Sequence, residues 1–245
     1  MTSSIITAID ILKDIYKKHF DTLPEGLLKQ LSSECWAKFL SIGLPQTSWE
    51  DWQYADLSPM FDNFFNTPTL ILKKTNSFSK FDSTYKNNVK INDGRLQHAS
   101  VGSDVKISAI AELNNLEINL LAQKIRKILK NENNPFALFN YSLLSNGVFI
   151  KIAGNANLQF QITSECDSSV FVSPFLMIEC GANSKVEIIY QEIRDHKAVA
   201  GMNSMRLLEA GNNSNINLNQ LQMDGGNGFH LSQARYDLSQ FANVS

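Results

Sequence analysis

Four histidines (His19, His98, His196, His230) and three cysteines (Cys35, Cys166, Cys180) are the side chains of this 245-residue chain best suited to hold a metal or act as nucleophiles. Their spacing suits neither task. No His-x-x-x-His or Cys-x-x-Cys occurs, so nothing has the separation a zinc or iron site needs, and three cysteines are too few for a disulfide framework. Reduced, partly buried thiols are expected. Cys166 and Cys180, on successive strands, could stack, but burial as small hydrophobic side chains is the expected outcome, and two thiolates alone would hold a metal weakly. Phosphate-loop, Gly-x-Ser-x-Gly and dinucleotide fingerprints are absent. Asp224-Gly225-Gly226-Asn227-Gly228 reads as a loop between strands. Glu50/Asp51, Glu209 and Asp224 offer no repeated acid pair for glycoside cleavage. No catalytic residue, metal site or cofactor is therefore expected in this chain.

Composition narrows the function further. Twenty-two Lys+Arg against 24 Asp+Glu leave a net charge of -2, so the usual electrostatic drive toward nucleic acid or anionic lipid is missing. No apolar run reaches the roughly 18 residues that span a bilayer. Asp10 and Asp14 interrupt the only N-terminal apolar stretch, which argues against a secretory signal and for a cytoplasmic location.

The elements that would position any site fall into three parts: a helical unit over 1–66, a mixed strand and helix connector over 67–146, and a repetitive strand region over 147–245. Ser3 or Ser4 can cap a first helix with an Ile5, Ile9, Leu12, Tyr16 stripe. Pro24 suits the first turn of a second helix. A third, Ser33 to Ile42, should bury Trp36, Phe39 and Leu40 before stopping at Gly43 and Pro45. Thr47-Ser48-Trp49-Glu50 fits a capping box. It opens an aromatic cluster (Trp49, Trp52, Tyr54, Phe61, Phe64, Phe65) expected to be core, with Trp52→Ala costing about 3 to 5 kcal/mol. In the connector, Asn92-Asp93-Gly94 signals a hairpin. Leu116, Leu120, Leu121, Ile125, Ile128 and Leu129 have helical spacing, and Pro135 starts a helix expected to run through Leu144.

The last part repeats. Ile152-Ala153-Gly154-Asn155-Ala156-Asn157-Leu158, Cys180-Gly181-Ala182-Asn183-Ser184-Lys185-Val186 and Ala210-Gly211-Asn212-Asn213-Ser214-Asn215-Ile216 align on glycines 27 and 30 residues apart, with the first segment one residue shorter. Strand patterns flank each glycine, the grammar of a parallel β-helix of three to four coils. The chain holds 25 Asn and 12 Gly. Asn tolerates left-handed turns and can form ladders between stacked coils.

Five motifs in order carry a resemblance. Gly43-Leu44-Pro45 with Glu50-Asp51-Trp52-Gln53-Tyr54-Ala55-Asp56-Leu57, Asn92-Asp93-Gly94-Arg95, Pro135 to Asn140 leading into Gly147-Val148-Phe149-Ile150, the Gly-x-Asn-Ser turns, and Gly228-Phe229-His230-Leu231 together resemble SufD-type iron-sulfur assembly proteins of the SufB/SufD family. The Trp-x-Tyr segment is closer to SufD than to SufB. Gln53, Ala55 and Phe139 depart from the family pattern at positions read as packing or surface.

The resemblance implies an α+β chain: a small N-terminal helical unit followed by a right-handed parallel β-helix, here truncated. It implies a non-enzymatic scaffold that works with SufB-like and SufC-like partners. Iron-sulfur cluster and ATP would then belong to the complex, with no nucleic-acid or membrane partner. Such proteins continue well beyond position 245 and carry their functional histidine and SufC-binding segment there. His230 is not matched to that histidine, and an N-terminal fragment is expected. The alternative is a β-helix polysaccharide lyase or hydrolase, which should line acids and bases along one outer sheet. The corresponding row here is Gln159, Glu187 and Asn217, with one ionisable member.

Overall fold

The computed structural model describes residues 2–46, 48–54, 57, 60, 85–166, 171–194, 201–224 and 229–245. The Ser3 or Ser4 cap, Ile5, Thr47, Phe61, Phe64, Phe65, His196 and the Gly225 to Gly228 loop lie outside the described residues or side chains. Helix α1 (Thr2–Phe20) buries Ala8, Leu12, Ile15 and Tyr16. Helix α2 (Leu27–Ile42) buries Leu28, Leu31, Cys35, Trp36 and Phe39, the three- and four-residue spacing of one face. Tyr16 stacks on Trp36 at 4.4 Å.

Two helices were expected where α2 is one. Pro24 lies in the turn before Gly26, and Leu31-Ser32-Ser33-Glu34 contains no breaker, so the apolar stripe runs through. Leu40 is 48% exposed because it sits a step round the helix from Phe39. Gly43, at φ 76°, closes the helix by donating its N–H to the Phe39 carbonyl.

Helix α3 (Asn115–Leu129) begins at a reciprocal capping box between Asn114 and Glu117 that the sequence reading missed. It buries Leu121, Ile125, Ile128 and Leu129 but leaves Leu116 and Leu120 exposed. Helix α4 (Pro135–Ser142) has Pro135 in its first turn, as expected, and all eight residues are buried. It stops at Ser142, short of Leu144, and a 3-10 turn over Leu144–Asn146 follows.

Strands β1 (Asn87–Asn92) and β2 (Arg95–Ser100) form the expected hairpin, with Asp93 and Gly94 at φ 47° and 81°. Strand β3 (Val105–Ala109) pairs antiparallel with β4 (Val148–Ile152). The chain then passes back and forth between two sheets. Strands β4, β7 (Phe175–Cys180), β9 (Gly201–Ala210) and β11 (Phe229–Leu238) lie in one, with β6 (Phe171–Val172) beside β9; β5 (Asn157–Cys166), β8 (Lys185–Arg194), β10 (Asn215–Asp224) and β12 (Asn243–Val244) lie in the other. From β4 onward every pairing among the described strands is parallel, except that with β3.

The register corrects the glycine alignment. Ile152 lies opposite Cys180 and Asn157 opposite Lys185, so Ala153, not Gly154, matches Gly181. What repeats is the left-handed residue: Asn155, Asn183 and Asn213 at φ 60°, 58° and 56°, followed by Phe241 at 58° in a fourth turn that the repeat search missed. Amide contacts run up this ladder, Asn183 Nδ2 to Asn155 Oδ1 at 3.3 Å and Asn213 Nδ2 to Asn183 Oδ1 at 3.2 Å. Backbone bonds join the same turns, including Gly181 N–H to Ile152 O and Gly211 N–H to Cys180 O.

Two cores result. Phe149, Phe175, Met177, Met205 and Leu207 face the helices from the outer side of one sheet. Val148, Ile150, Phe160, Ile162, Ile178, Ile188 and Leu208 fill the space between sheets. Asn140 of α4 locks the first core by donating to the Asn203 carbonyl at 2.6 Å, while Asn203 donates back to Phe136 O at 2.8 Å.

Candidate functional site

Alternation along β8 turns Val186, Ile188, Tyr190, Glu192 and Arg194 inward, so its inner face starts apolar and ends charged. Register lays Ser164 of β5 beside Glu192, and Gln220 of β10 beside Tyr190. The facing sheet supplies Ser204 and Arg206 from β9, and His230 and Ser232 from β11. Glu192 and Ser204 are each 1% exposed, and Arg206 is 6% exposed.

Hydrogen bonds draw this set together. Glu192 Oε1 accepts from Tyr190 Oη at 3.0 Å, and Oε2 accepts from Gln220 Nε2 at 3.0 Å and lies 3.5 Å from His230 Nε2. Arg206 Nη2 donates to Gln220 Oε1 at 2.6 Å, and its guanidinium lies 4.5 Å from the Tyr190 ring centroid. Burial alone would raise the Glu192 carboxyl, but the opposing influences of His230, Ser204 and Arg206 together outweigh it and hold the group at about 2. Burial, then the neighbouring carboxylate, pushes the Tyr190 phenol well above its ordinary value.

The arrangement holds charge rather than building a nucleophile. Ser204 Oγ lies 3.4 Å from His230 Nε2, the same nitrogen that faces Glu192. A serine relay needs hydroxyl and carboxylate on opposite ring nitrogens. The sequence reading missed this cluster because Glu192 and His230 are 38 residues apart on different sheets. The available signal was the run of polar residues at inward positions of β8.

The singled-out residues are dispersed. His19, 2% exposed, is contacted by Ser145 Oγ at Nε2 (2.9 Å) and by Asn146 Nδ2 at Nδ1 (3.3 Å). Burial, with Arg95 adding repulsion, lowers its pKa to about 4. His98 is exposed on β2. All three cysteines are buried and none is in a disulfide, and burial pushes the Cys35 and Cys180 thiols up to about 12. Cys166 and Cys180 are buried as expected but do not stack, because the chain changes sheets between them. Cys166 lies beside Arg194, and Cys180 between Ile152 and Ala210. Among the described residues no three His, Cys, Asp or Glu side chains converge as metal ligands would, and no helix is long and apolar enough to cross a membrane.

The aromatic cluster is only partly core. Trp49 and Trp52 are half-buried, with Trp52 5.4 Å from Phe136, but Tyr54 is 93% exposed. The short 3-10 turn Glu50–Trp52 is the reason, since it leaves Tyr54 beyond the surface that Trp52 caps. On the outer face of the other sheet, Gln159, Glu187 and Asn217 form one row, and Gln159 Nε2 donates to the Glu187 carboxylate at 2.7 Å.

No curated protein matches the chain. A family model described as the SufBD protein N-terminal region matches residues 10–163, which run from within α1 to within β5 and make up more than half of the sequence. With a helical unit leading into parallel strands and that match across it, the chain belongs to the SufB/SufD family of iron-sulfur cluster assembly proteins.

Proposed function

We propose that this chain is a SufD-like, non-enzymatic scaffold subunit of a cytoplasmic SufB-SufC-SufD type complex, and that β4 to β12 are coils of a right-handed parallel β-helix. The family match over residues 10–163 carries the reading, and the Trp52-Gln53-Tyr54 segment favours SufD over SufB. Cluster and ATP belong to the complex, and this chain contributes surfaces and a fixed interior. The parallel strands of both sheets support the coil assignment. Strand β11 ends its sheet order among the described strands, and β12 pairs with β10 at Asn215 and Ile216, with the Leu218 N–H donating to Ser245 O. A lyase or hydrolase finds less support, because the outer row offers one carboxylate already bonded to Gln159.

Co-expression with a SufB-like and a SufC-like protein, followed by size-exclusion chromatography and native mass measurement, tests the proposal. Expressed from the full coding sequence, the protein should migrate together with both partners, and the chain purified alone without oxygen should be colourless with substoichiometric iron and zinc. A SufB-SufC pair that forms without this chain, or polysaccharide cleavage by the chain alone, would overturn it.

A further inference from the structure

Beside the helical unit, away from the polar cluster, a cavity of about 650 Å³ is walled by Trp49, Asp51, Trp52, Glu132 and Asn134, among others. The backbone builds it. Leu44, 2% exposed, anchors the segment after α2, and the Trp52 N–H then donates to the Trp49 carbonyl at 2.9 Å. Trp49 is the extended N-cap of the 3-10 turn and Trp52 its last residue, and both indoles line the cavity. Across from them the α3–α4 turn holds Glu132, its side chain 15% exposed and its Oε1 accepting from the Asn134 N–H at 2.9 Å.

Two indoles and the Asp51 carboxylate, with Glu132 beside them, give the cavity an aromatic and acidic lining that suits a cation. Among the described lining residues none is basic; outside them, Arg235 Nη1 forms an ion pair with Glu132 Oε2 at 4.0 Å. A guanidinium fits better than an ammonium, since it can stack on an indole while donating in its own plane to a carboxylate. Tyr54, two residues past Trp52 and 93% exposed, extends the aromatic surface beyond the cavity. Half-buried Trp with an exposed Tyr two residues on is the composition of protein-binding hot spots rather than of small-cation pockets.

We propose that this cavity receives an arginine side chain of a partner protein. The assignment does not depend on the scaffold reading, because its test uses a peptide and no Suf protein.

The chain has three tryptophans, and Trp36, buried in α2, serves as an internal reference. Full-length protein carrying 15N-labelled indoles is titrated with the peptide acetyl-Gly-Gly-Arg-Gly-Gly-amide and with its citrulline counterpart, which keeps the shape and loses the charge. The Trp49 and Trp52 signals should shift saturably while Trp36 stays still, with the citrulline peptide about tenfold weaker. Asp51→Asn should weaken arginine binding several-fold on its own, and adding Glu132→Gln should weaken it further. Asp51 is exposed, so the first variant keeps its fold even if the second disturbs the start of α4. Equal binding of both peptides, no saturable shift, a Trp36 shift of the same size, or an unchanged affinity in Asp51→Asn would overturn the proposal. Free ethylguanidinium binding as tightly as the peptide would overturn it too, by making this a small-cation site.

Discussion

A carboxylate as enclosed as Glu192 remains ionised only where surrounding groups replace the water it gave up, and here Tyr190, Gln220 and His230 contact it while the Arg206 charge adds to them. Glu192→Ala would leave the Arg206 charge in the interior without its neighbouring carboxylate and the Tyr190 and Gln220 donors without their acceptor. It should cost about 3 to 5 kcal/mol, the range for removing one partner of a buried ion pair, read as a lowered urea midpoint. A midpoint within experimental error of wild type would mean that the interior charges are solvated. His19 carries the opposite device, a base kept neutral by burial. Its folded pKa of about 4 lies below the unfolded value of 6.5, so its contribution is complete above pH 6.5 and drains away as pH falls toward 4. The loss amounts to about 3 kcal/mol. His19→Gln should flatten that slope, measured as the urea midpoint at pH 7 against pH 4.5. A variant as acid-sensitive as wild type would exonerate the residue. Neither environment could be read from the sequence, where a histidine near a helix end and an acid inside an alternating strand both look solvated.

At the scale of elements, local chemistry was legible wherever it was punctuated. The Asp93-Gly94 hairpin, Pro135 and the Gly43 stop all stand where turn and cap rules put them. The coil register was not, because the eye aligns glycines while the backbone aligns left-handed asparagines. Two glycines matter for another reason, close approach. A Cβ on Gly211 would come within 2.7 Å of Ala182 N and 2.8 Å of Gly181 C, and one on Gly181 within 2.4 Å of Gly154 N. These are backbone atoms of the coil beneath, held by strand pairing on either side. Gly211→Ala should therefore destabilise by about 1 to 3 kcal/mol or more, while Gly154→Ala, whose Cβ meets its nearest backbone atom at 3.1 Å, should cost less. Thermal melts of the two variants side by side check the order. Reversal would mean that the coils can spread.

For the molecule as a whole, two cores share one sheet. Strands β7 and β9 are packed by helices on the outside and by the second sheet on the inside, whereas β11 has a neighbour on one edge and exposes Tyr236 and Leu238. Native-state hydrogen exchange should therefore protect β7 and β9 most and β11 and β12 least. Uniform protection would indicate a single cooperative unit. The stack also raises a question of symmetry. Asn155, Asn183 and Asn213 offer the same amide at successive levels, and a ladder of identical rungs would accept a slip of one whole level without complaint. Other positions refuse it. The column through Ser164, Glu192 and Gln222 carries its charge at one level, and the column through Leu176, Arg206 and Ala234 does the same. Phe241 occupies the fourth left-handed place with no amide to offer. A displaced strand would set the carboxylate against the wrong partner, so these irregular residues act as addresses that give each otherwise interchangeable level a single place in the order.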